Sequence, residues 1–267
     1  MSEWQGRTVL ITGATSGIGQ AFAKRLAMAG AELILTARSI ERLTATALEL
    51  RQEFDPHLPI HLYPTDLARA DGPVQLVETI HQAGHRIDLL INNAGFGIAG
   101  TFATQDPQRQ LEMLQLNVIS PVALTRLLLP GMIERRSGAI IQVASMAAFQ
   151  GVPWLSLYAG SKALLMNFTE GLAVECRQSG VRVLALCPGP TQSSFHATAG
   201  ATPRGAERGM MSAFEVVDCA LDQLAHGRSL AIPGTSNRLT LLLERVVPRS
   251  LVTRLAARLY RPDSKHG

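Results

Sequence analysis

The chain has 267 residues, 46% of them hydrophobic, which is enough to bury the core of one large domain. Its 25 basic and 21 acidic residues leave a formal charge of +4, too small an excess to argue for a nucleic-acid surface. The three cysteines, Cys176, Cys187 and Cys219, show no Cys-x-x-Cys spacing and no His/Cys cluster, so neither a disulfide framework nor a metal site is expected.

Short aliphatic or β-branched runs alternate with stretches of helical period. Thr8 to Thr12 predicts a strand, Gly17 to Met28 a helix, Glu32 to Ala37 a strand and Ile40 to Phe54 a helix. Further strands are predicted at Ile60 to Tyr63, Asp88 to Ile91, Ala139 to Val143, Arg182 to Leu186 and Leu230 to Ile232. Helices are predicted between them near 73–83, 107–133, 157–178 and 214–226. Seven nearly continuous apolar strands with intervening helices predict an α/β fold, a doubly wound parallel sheet covered on both faces, in a single domain over residues 1–237. Residues 1–6 are polar and lack the n-region and h-region of a signal peptide, and no apolar run reaches the length of a membrane span. A cytoplasmic location is the expectation.

After the first strand comes Gly13-Ala14-Thr15-Ser16-Gly17-Ile18-Gly19. Gly13 permits a sharp exit from the strand, Gly17 lets backbone approach a pyrophosphate, and Gly19 lets the helix pack close to the sheet. The helix N-terminus adds N–H donors and positive dipole, so the loop predicts dinucleotide binding. The second strand ends Ala37-Arg38, without the acidic residue that holds both ribose hydroxyls of NAD. The Arg38 guanidinium suits a 2′-phosphate, and NADP(H) is favoured over NAD(H). Asp66, followed by Leu67, either accepts from the adenine amino group or caps the next turn.

Tyr158 and Lys162 lie four residues apart in a stretch of helical period and share a helix face. An ammonium beside a phenol favours the phenolate and lowers its pKa from about 10 toward the range useful for proton transfer. His81 and His85 also read as one helix face, with no carboxylate or thiol to complete a metal site.

Together these motifs resemble the short-chain dehydrogenase/reductase family, in its compact single-domain branch with a Rossmann fold. The resemblance runs from about Arg7 to Ile232 and is carried by the glycine loop, Asn92-Asn93-Ala94-Gly95, Asn117, Ser145, Tyr158-x-x-x-Lys162 and Pro188-Gly189, with Ser145 13 residues before Tyr158. It implies a catalytic set of Asn117, Ser145, Tyr158 and Lys162. Tyr158 exchanges a proton with a carbonyl or alcohol oxygen as hydride moves to or from the nicotinamide. Lys162 stabilises the phenolate and bonds the ribose, Ser145 holds the substrate oxygen, and Asn117 anchors a water relay. Asn93, Ala94, Gly95, Pro188, Gly189 and Thr191 are implied as further cofactor contacts. Pairing of the helices near 107–133 and 157–178 between subunits implies a homodimer or homotetramer. Ala144, where many members carry a second serine, and Ser193, where a threonine is frequent, depart from the family pattern.

Around the site, Phe96, Met146, Phe149, Val152, Pro153, Trp154 and Leu155 are apolar, and Lys and Arg are absent between Ser137 and Tyr158. A small apolar carbonyl or alcohol of ketone, ketoacyl or steroid/lipid type is the expected substrate. Residues 190–211 read as a lid in which His196 either touches substrate or is a solvated loop residue. The tail, 238–267, carries Arg238, Arg245, Arg249, Arg254, Arg258, Arg261 and Lys265 against Glu244 and Asp263. With Leu241 to Leu243, Leu251, Leu255 and Leu259 it is basic and amphipathic. It can meet a membrane peripherally, cap the substrate entrance or pack on its own or a neighbouring subunit. The other readings open to the chain are a low-turnover nucleotide-sensing protein of this fold and a membrane-recruited scaffold.

Overall fold

The computed structural model describes residues 2–192, 210–244 and 246–260. Its centre is a parallel sheet of seven strands: β1 (Thr8–Thr12), β2 (Glu32–Ala37), β3 (Ile60–Pro64), β4 (Leu89–Asn92), β5 (Gly138–Val143), β6 (Val181–Leu186) and β7 (Leu230–Ala231). Their order in space is β3-β2-β1-β4-β5-β6-β7, so the chain winds outward from β1 one way, returns, and winds the other way from β4. All five residues of β1 are buried, as strands sandwiched between helix layers must be.

Side chains alternate between the two faces. Val9, Ile11, Leu33 and Leu35 pack with Phe22 and Leu26 of α1 (Gly17–Met28) and Leu43 and Leu50 of α2 (Ile40–Glu53). Leu10, Ile34, Leu90 and Ile140 point the other way, onto Leu76 and Ile80 of α3 (Gly72–Gln82) and onto Leu124 and Leu128. The sequence-predicted elements stand, with ends shifted by one to three residues and β7 shortened to two.

The segment predicted as one helix at 107–133 is divided. It consists of α4 (Pro107–Leu114), a π turn at Gln115–Ile119 and α5 (Ser120–Glu134). The cause is in the sequence. An α-helical bond to the Asn117 carbonyl must come from residue 121, which is proline and has no N–H. The expectation about membrane spans also needs one correction, because Pro107–Glu134 is long and apolar enough to cross a membrane. In the fold one face of this segment packs into the core, with Met113, Leu124, Leu128 and Met132 buried.

The reading of His81 and His85 as one helix face without a carboxylate partner changes on both points. α3 ends at Gln82, so His85 does not share a helix face with His81. It turns instead to Glu32, whose Oε1 lies 2.8 Å from His61 Nε2 and 3.2 Å from His85 Nδ1, while Thr8 Oγ1 donates to Oε2 at 2.9 Å. The carboxylate is thus shared by two imidazoles at the amino-terminal edge of the sheet.

α6 (Ser156–Glu175) lies on the face of α3 and α5, and α7 (Ala213–Ala225) on that of α1. α7 opens with a capping box, Ser212 Oγ accepting from Glu215 N at 3.2 Å and Glu215 accepting from Ser212 N at 2.8 Å. The tail forms α8 (Thr235–Glu244) and α9 (Arg249–Tyr260), so its helical part begins before residue 238. Most of the anticipated lid, with Ser193 and His196, lies outside the described residues.

Phe22 is fully buried between β1, β2 and α2. Phe22→Ala is expected to cost about 3–5 kcal/mol, read as a lower urea midpoint with an unchanged slope.

Candidate active site

The carboxyl ends of β1 and β4 are joined by a side-chain clamp. Asn93 Nδ2 donates to the carbonyls of Thr12 at 2.9 Å and Gly13 at 3.1 Å, while the backbone N–H groups of Asn93 and Ala94 both donate to Thr12 Oγ1 at 2.9 Å. Gly13 leaves β1 at φ +64° and Gly17 enters α1 at φ +54°, angles that disfavour any side chain. A Cβ on Gly19 would stand 2.2 Å from Gly13 O and 2.5 Å from Asn93 Nδ2. The helix can begin this close to the sheet only with glycine there. Ser16 precedes α1 in extended conformation and its side chain caps nothing, and the first turn holds no acidic residue. The positive end of α1 is left for an anionic ligand. Ile18 packs back against the core.

Arg38 is exposed just past β2. Arg42, one helical turn further, donates from Nη2 to the Thr15 carbonyl at 3.3 Å, so a second guanidinium borders the glycine loop. Sequence reasoning missed Arg42, although its i, i+4 spacing from Arg38 was a signal. β2 ends at Ala37, a neutral side chain. Asp66 Oδ1 accepts from Ala68 N at 3.0 Å, which is the turn-capping alternative, and Leu67 is buried with its carbonyl taken by Ser120 Oγ.

Tyr158 and Lys162 project from α6 under the ends of β5 and β6 and are 7% and 5% exposed. Lys162 Nζ donates to the Val143 carbonyl at 2.7 Å and lies 5.9 Å from the centre of the Tyr158 ring. Ser145, just past β5, caps the short turn Met146–Phe149 by accepting from Ala147 N at 3.1 Å, and its side chain is hydrogen-bonded to Tyr158. Asn117, fully buried in the π turn, is stapled to the loop after β4: Oδ1 accepts from Phe96 N at 3.1 Å and Nδ2 donates to Phe96 O at 2.9 Å. Gly95 fits between this amide and the lysine, since a Cβ there would lie 2.8 Å from Asn117 Oδ1 and 3.5 Å from Lys162 Nζ. The four side chains predicted to act together are thereby brought to one place.

Burial governs their protonation. It pushes the Tyr158 phenol well above its ordinary value, outweighing the hydrogen bond with Ser145 that acts the other way. The same burial pulls Lys162 down to about 8. The expected lowering of the phenol by a neighbouring ammonium is therefore reversed, because the desolvation of the buried phenol outweighs it. Cys187, beneath the pair, is pushed up to about 12 by burial and stays a neutral thiol at physiological pH.

Beyond the tetrad, Pro188 accepts from Met146 N at 2.9 Å, and Gly189 lies against Asn237 of α8, whose amide would be 2.6 Å from a Cβ at that position. Thr191 Oγ1 donates to Gly189 O at 2.9 Å, and Thr191 bridges to Met211. The apolar wall beside Tyr158 is built by Met113, Val152 and Leu155, with Phe96, Ile98 and Tyr260 packed against them. Trp154 adopts φ +62°, a strained angle for such a residue, held where Gly100 N donates to its carbonyl at 2.9 Å. Phe149 departs from expectation by packing beneath the site with Ala148, Met166 and Cys187. Tyr260 was missed, and its burial raises its own pKa. The period of Thr253, Ala256 and Tyr260 on α9 was the available signal.

A doubly wound sheet with a glycine-lined strand-to-helix turn and a Ser, Tyr, Lys, Asn group at the strand ends defines a nucleotide-binding oxidoreductase architecture. The chain belongs to the short-chain dehydrogenase family, whose model matches residues 7–204. It is 36% identical over 189 residues to the ketoacyl reductase HetN of Nostoc sp., a match covering 71% of this chain and 65% of that protein. A short-chain dehydrogenase from Sphingobium yanoikuyae, solved in complex with NADPH, superposes with TM-score 0.79 at 30% identity over 91% of this chain and 97% of that one. The bulky-bulky ketone specific alcohol dehydrogenase from Comamonas testosteroni gives TM-score 0.76 at 28% identity, covering 98% and 96%. Against three curated relatives the matched stretch spans 62%, 65% and 66% of their length.

The depressed pKa of Lys162 has a sign that can be tested. Its folded value lies below the unfolded one, so the unfolded chain binds more protons between the two, and this group's penalty on stability is full below about pH 8 and relieved as pH rises through that window. Relative to Lys162→Met, the wild type is expected to gain up to about 3 kcal/mol between pH 7 and 10, measured by urea denaturation of both proteins across that range.

Proposed function

We propose that the protein is an NADP(H)-dependent reductase or dehydrogenase that moves hydride between the nicotinamide and an apolar carbonyl or secondary alcohol. The observation that carries this reading is the buried Tyr158–Lys162 pair with Ser145 bonded to the phenol, at the carboxyl ends of the central strands. A phenol held protonated by burial is a proton donor in waiting. It delivers its proton only when a developing alkoxide, a far stronger base than water, lies against it.

The cofactor fits this chain. Gly13, Gly17 and Gly19 leave room where a Cβ would intrude or strain, and the first turn of α1 lacks acidic residues. The strand-end position after Thr36 is neutral, with Arg38 and Arg42 beside the loop, which supports a 2′-phosphate and so NADP(H) over NAD(H). Thr15, Ser16 and Ile18 would offer backbone to the pyrophosphate, Asp66 and Leu67 would border the adenine, and Asn93, Ala94 and Gly95 would floor the pocket. Pro188, Gly189 and Thr191 would meet the nicotinamide end. When bound, NADPH supplies the hydride.

The chain's own groups do the rest. Ser145 and Tyr158 hydroxyls both reach the substrate oxygen, Tyr158 gives up its proton, and Lys162 stabilises the phenolate that remains. Asn117 holds the loop of Gly95 and Phe96 against the lysine, and the π turn that Pro121 imposes shapes the route by which the proton is replaced. The wall of Met113, Val152, Leu155, Phe96 and Tyr260 favours an apolar substrate, in keeping with the ketone-specific dehydrogenase of the same fold. Exposed Leu111, Ile119 and Leu127 of the α4–α5 segment and Leu164 and Val174 of α6 support pairing of these helices in a homodimer or homotetramer.

Tyr158→Phe is expected to lower NADPH oxidation with a panel of ketones and ketoacyl thioesters by about 10²-fold or more, with NADPH affinity by fluorescence retained. Undiminished turnover would remove Tyr158 from the mechanism. Arg38→Ala should weaken NADPH by about tenfold and leave NADH unchanged in parallel titrations; an equal loss for both would refute the 2′-phosphate assignment.

A further inference from the structure

The tail has two faces. On the inner one, Asn237 packs on Gly189, Leu241 and Ala256 are buried, Thr253 lies against Gly151, and Tyr260 reaches the apolar wall beside Tyr158. Glu244 is turned inward to the Gln150 amide, and burial raises its pKa. The outer face is unlike any ordinary surface. Leu239, Leu242 and Leu243 of α8 are 57–58% exposed, Val246 in the turn is 80% exposed, and Leu251 and Leu255 of α9 are about half exposed. These sit at i, i+3 and i+4 positions, so each helix shows an aliphatic stripe to the outside.

The charges beside the stripes are of one sign. Among the described residues from 235 to 260 the exposed ionic side chains are Arg238, Arg249, Arg254 and Arg258, and the acidic residue of the segment, Glu244, is partly buried beside Gln150. A second copy meeting this patch across a two-fold axis would set guanidinium against guanidinium. A lipid surface answers both features: leucines enter the acyl boundary while arginines meet lipid phosphates and anionic headgroups.

We propose that α8 and α9 form a docking surface for an anionic membrane, and that docking sets the apolar mouth of the Tyr158 pocket, walled by Tyr260, against the bilayer. The substrate class that follows is a membrane-dissolved carbonyl or alcohol that reaches the pocket along α9 without crossing water. This deepens the proposed activity and rests on it for the substrate. The binding itself is measured without turnover, so the two readings fail separately.

The test is co-sedimentation of the full chain with phosphatidylcholine vesicles with and without phosphatidylserine. Wild type should pellet with the serine-containing vesicles and much less with the neutral ones. Leu242→Glu/Leu243→Glu should reduce the bound fraction about tenfold or more, and Arg254→Ser/Arg258→Ser should abolish the preference for anionic lipid, as should high salt. Melting curves matching wild type establish that the variants fold, as surface changes of this kind allow. Three results would each overturn the proposal: no pelleting of the wild type with either vesicle, equal pelleting of the leucine variant, or a dimer by light scattering that the leucine variant splits while vesicles bind neither.

Discussion

Everything functional in this chain hangs on the seam between β1 and β4. These strands are neighbours in the sheet but 80 residues apart in sequence, and at their carboxyl ends the chain leaves in opposite senses, opening a crevice. The Asn93 amide and the Thr12 hydroxyl close the backbone groups that such a parting would leave unpaired. Because Asn93 also lies against Gly19, the same amide sets how near α1 comes to the sheet. The phosphate loop, the Gly95 loop and the lysine behind it are positioned in turn from that one joint.

Electrostatics at the pair is a contest between desolvation and attraction, and desolvation dominates both partners. Tyr158 is held neutral, and Lys162, lowered to about 8, begins to lose its proton just above neutrality with one backbone carbonyl for company. A carboxylate nearby would have fixed the lysine as a cation at the cost of drawing it away from the phenol. The neutral Cys187 thiol beneath avoids that competition. The site is poised by what surrounds it being uncharged.

The strands, their parallel order and the four side chains that meet at the strand ends were legible in the sequence because each is carried by a local pattern: period two or 3.6, a glycine spacing, a Tyr-x-x-x-Lys helix face. What escaped comes from residues that meet across the fold. Arg42 matters by touching Thr15, Tyr260 by reaching Tyr158 from the far end of the chain, and Glu32 by lying between His61 and His85. The lowered lysine was illegible for another reason: sequence shows that a cation is present, and only packing shows how dry it is. The π turn was written locally, in Pro121 four residues after Asn117, and was overlooked because the apolar period runs through it unbroken.

The strand order also dictates when the site can come into being. β1, β2 and β3 can pair as they emerge, each over a single helix crossover, yet the joint of Thr12 with Asn93 awaits β4, and the floor beneath Tyr158 awaits β5 and β6. Contacts of such long sequence separation form late, after the entropy of closing large loops has been overcome. A growing chain therefore exposes the apolar edge of β1 until β4 has been made, and Tyr158 acquires its surroundings only after β6 has followed.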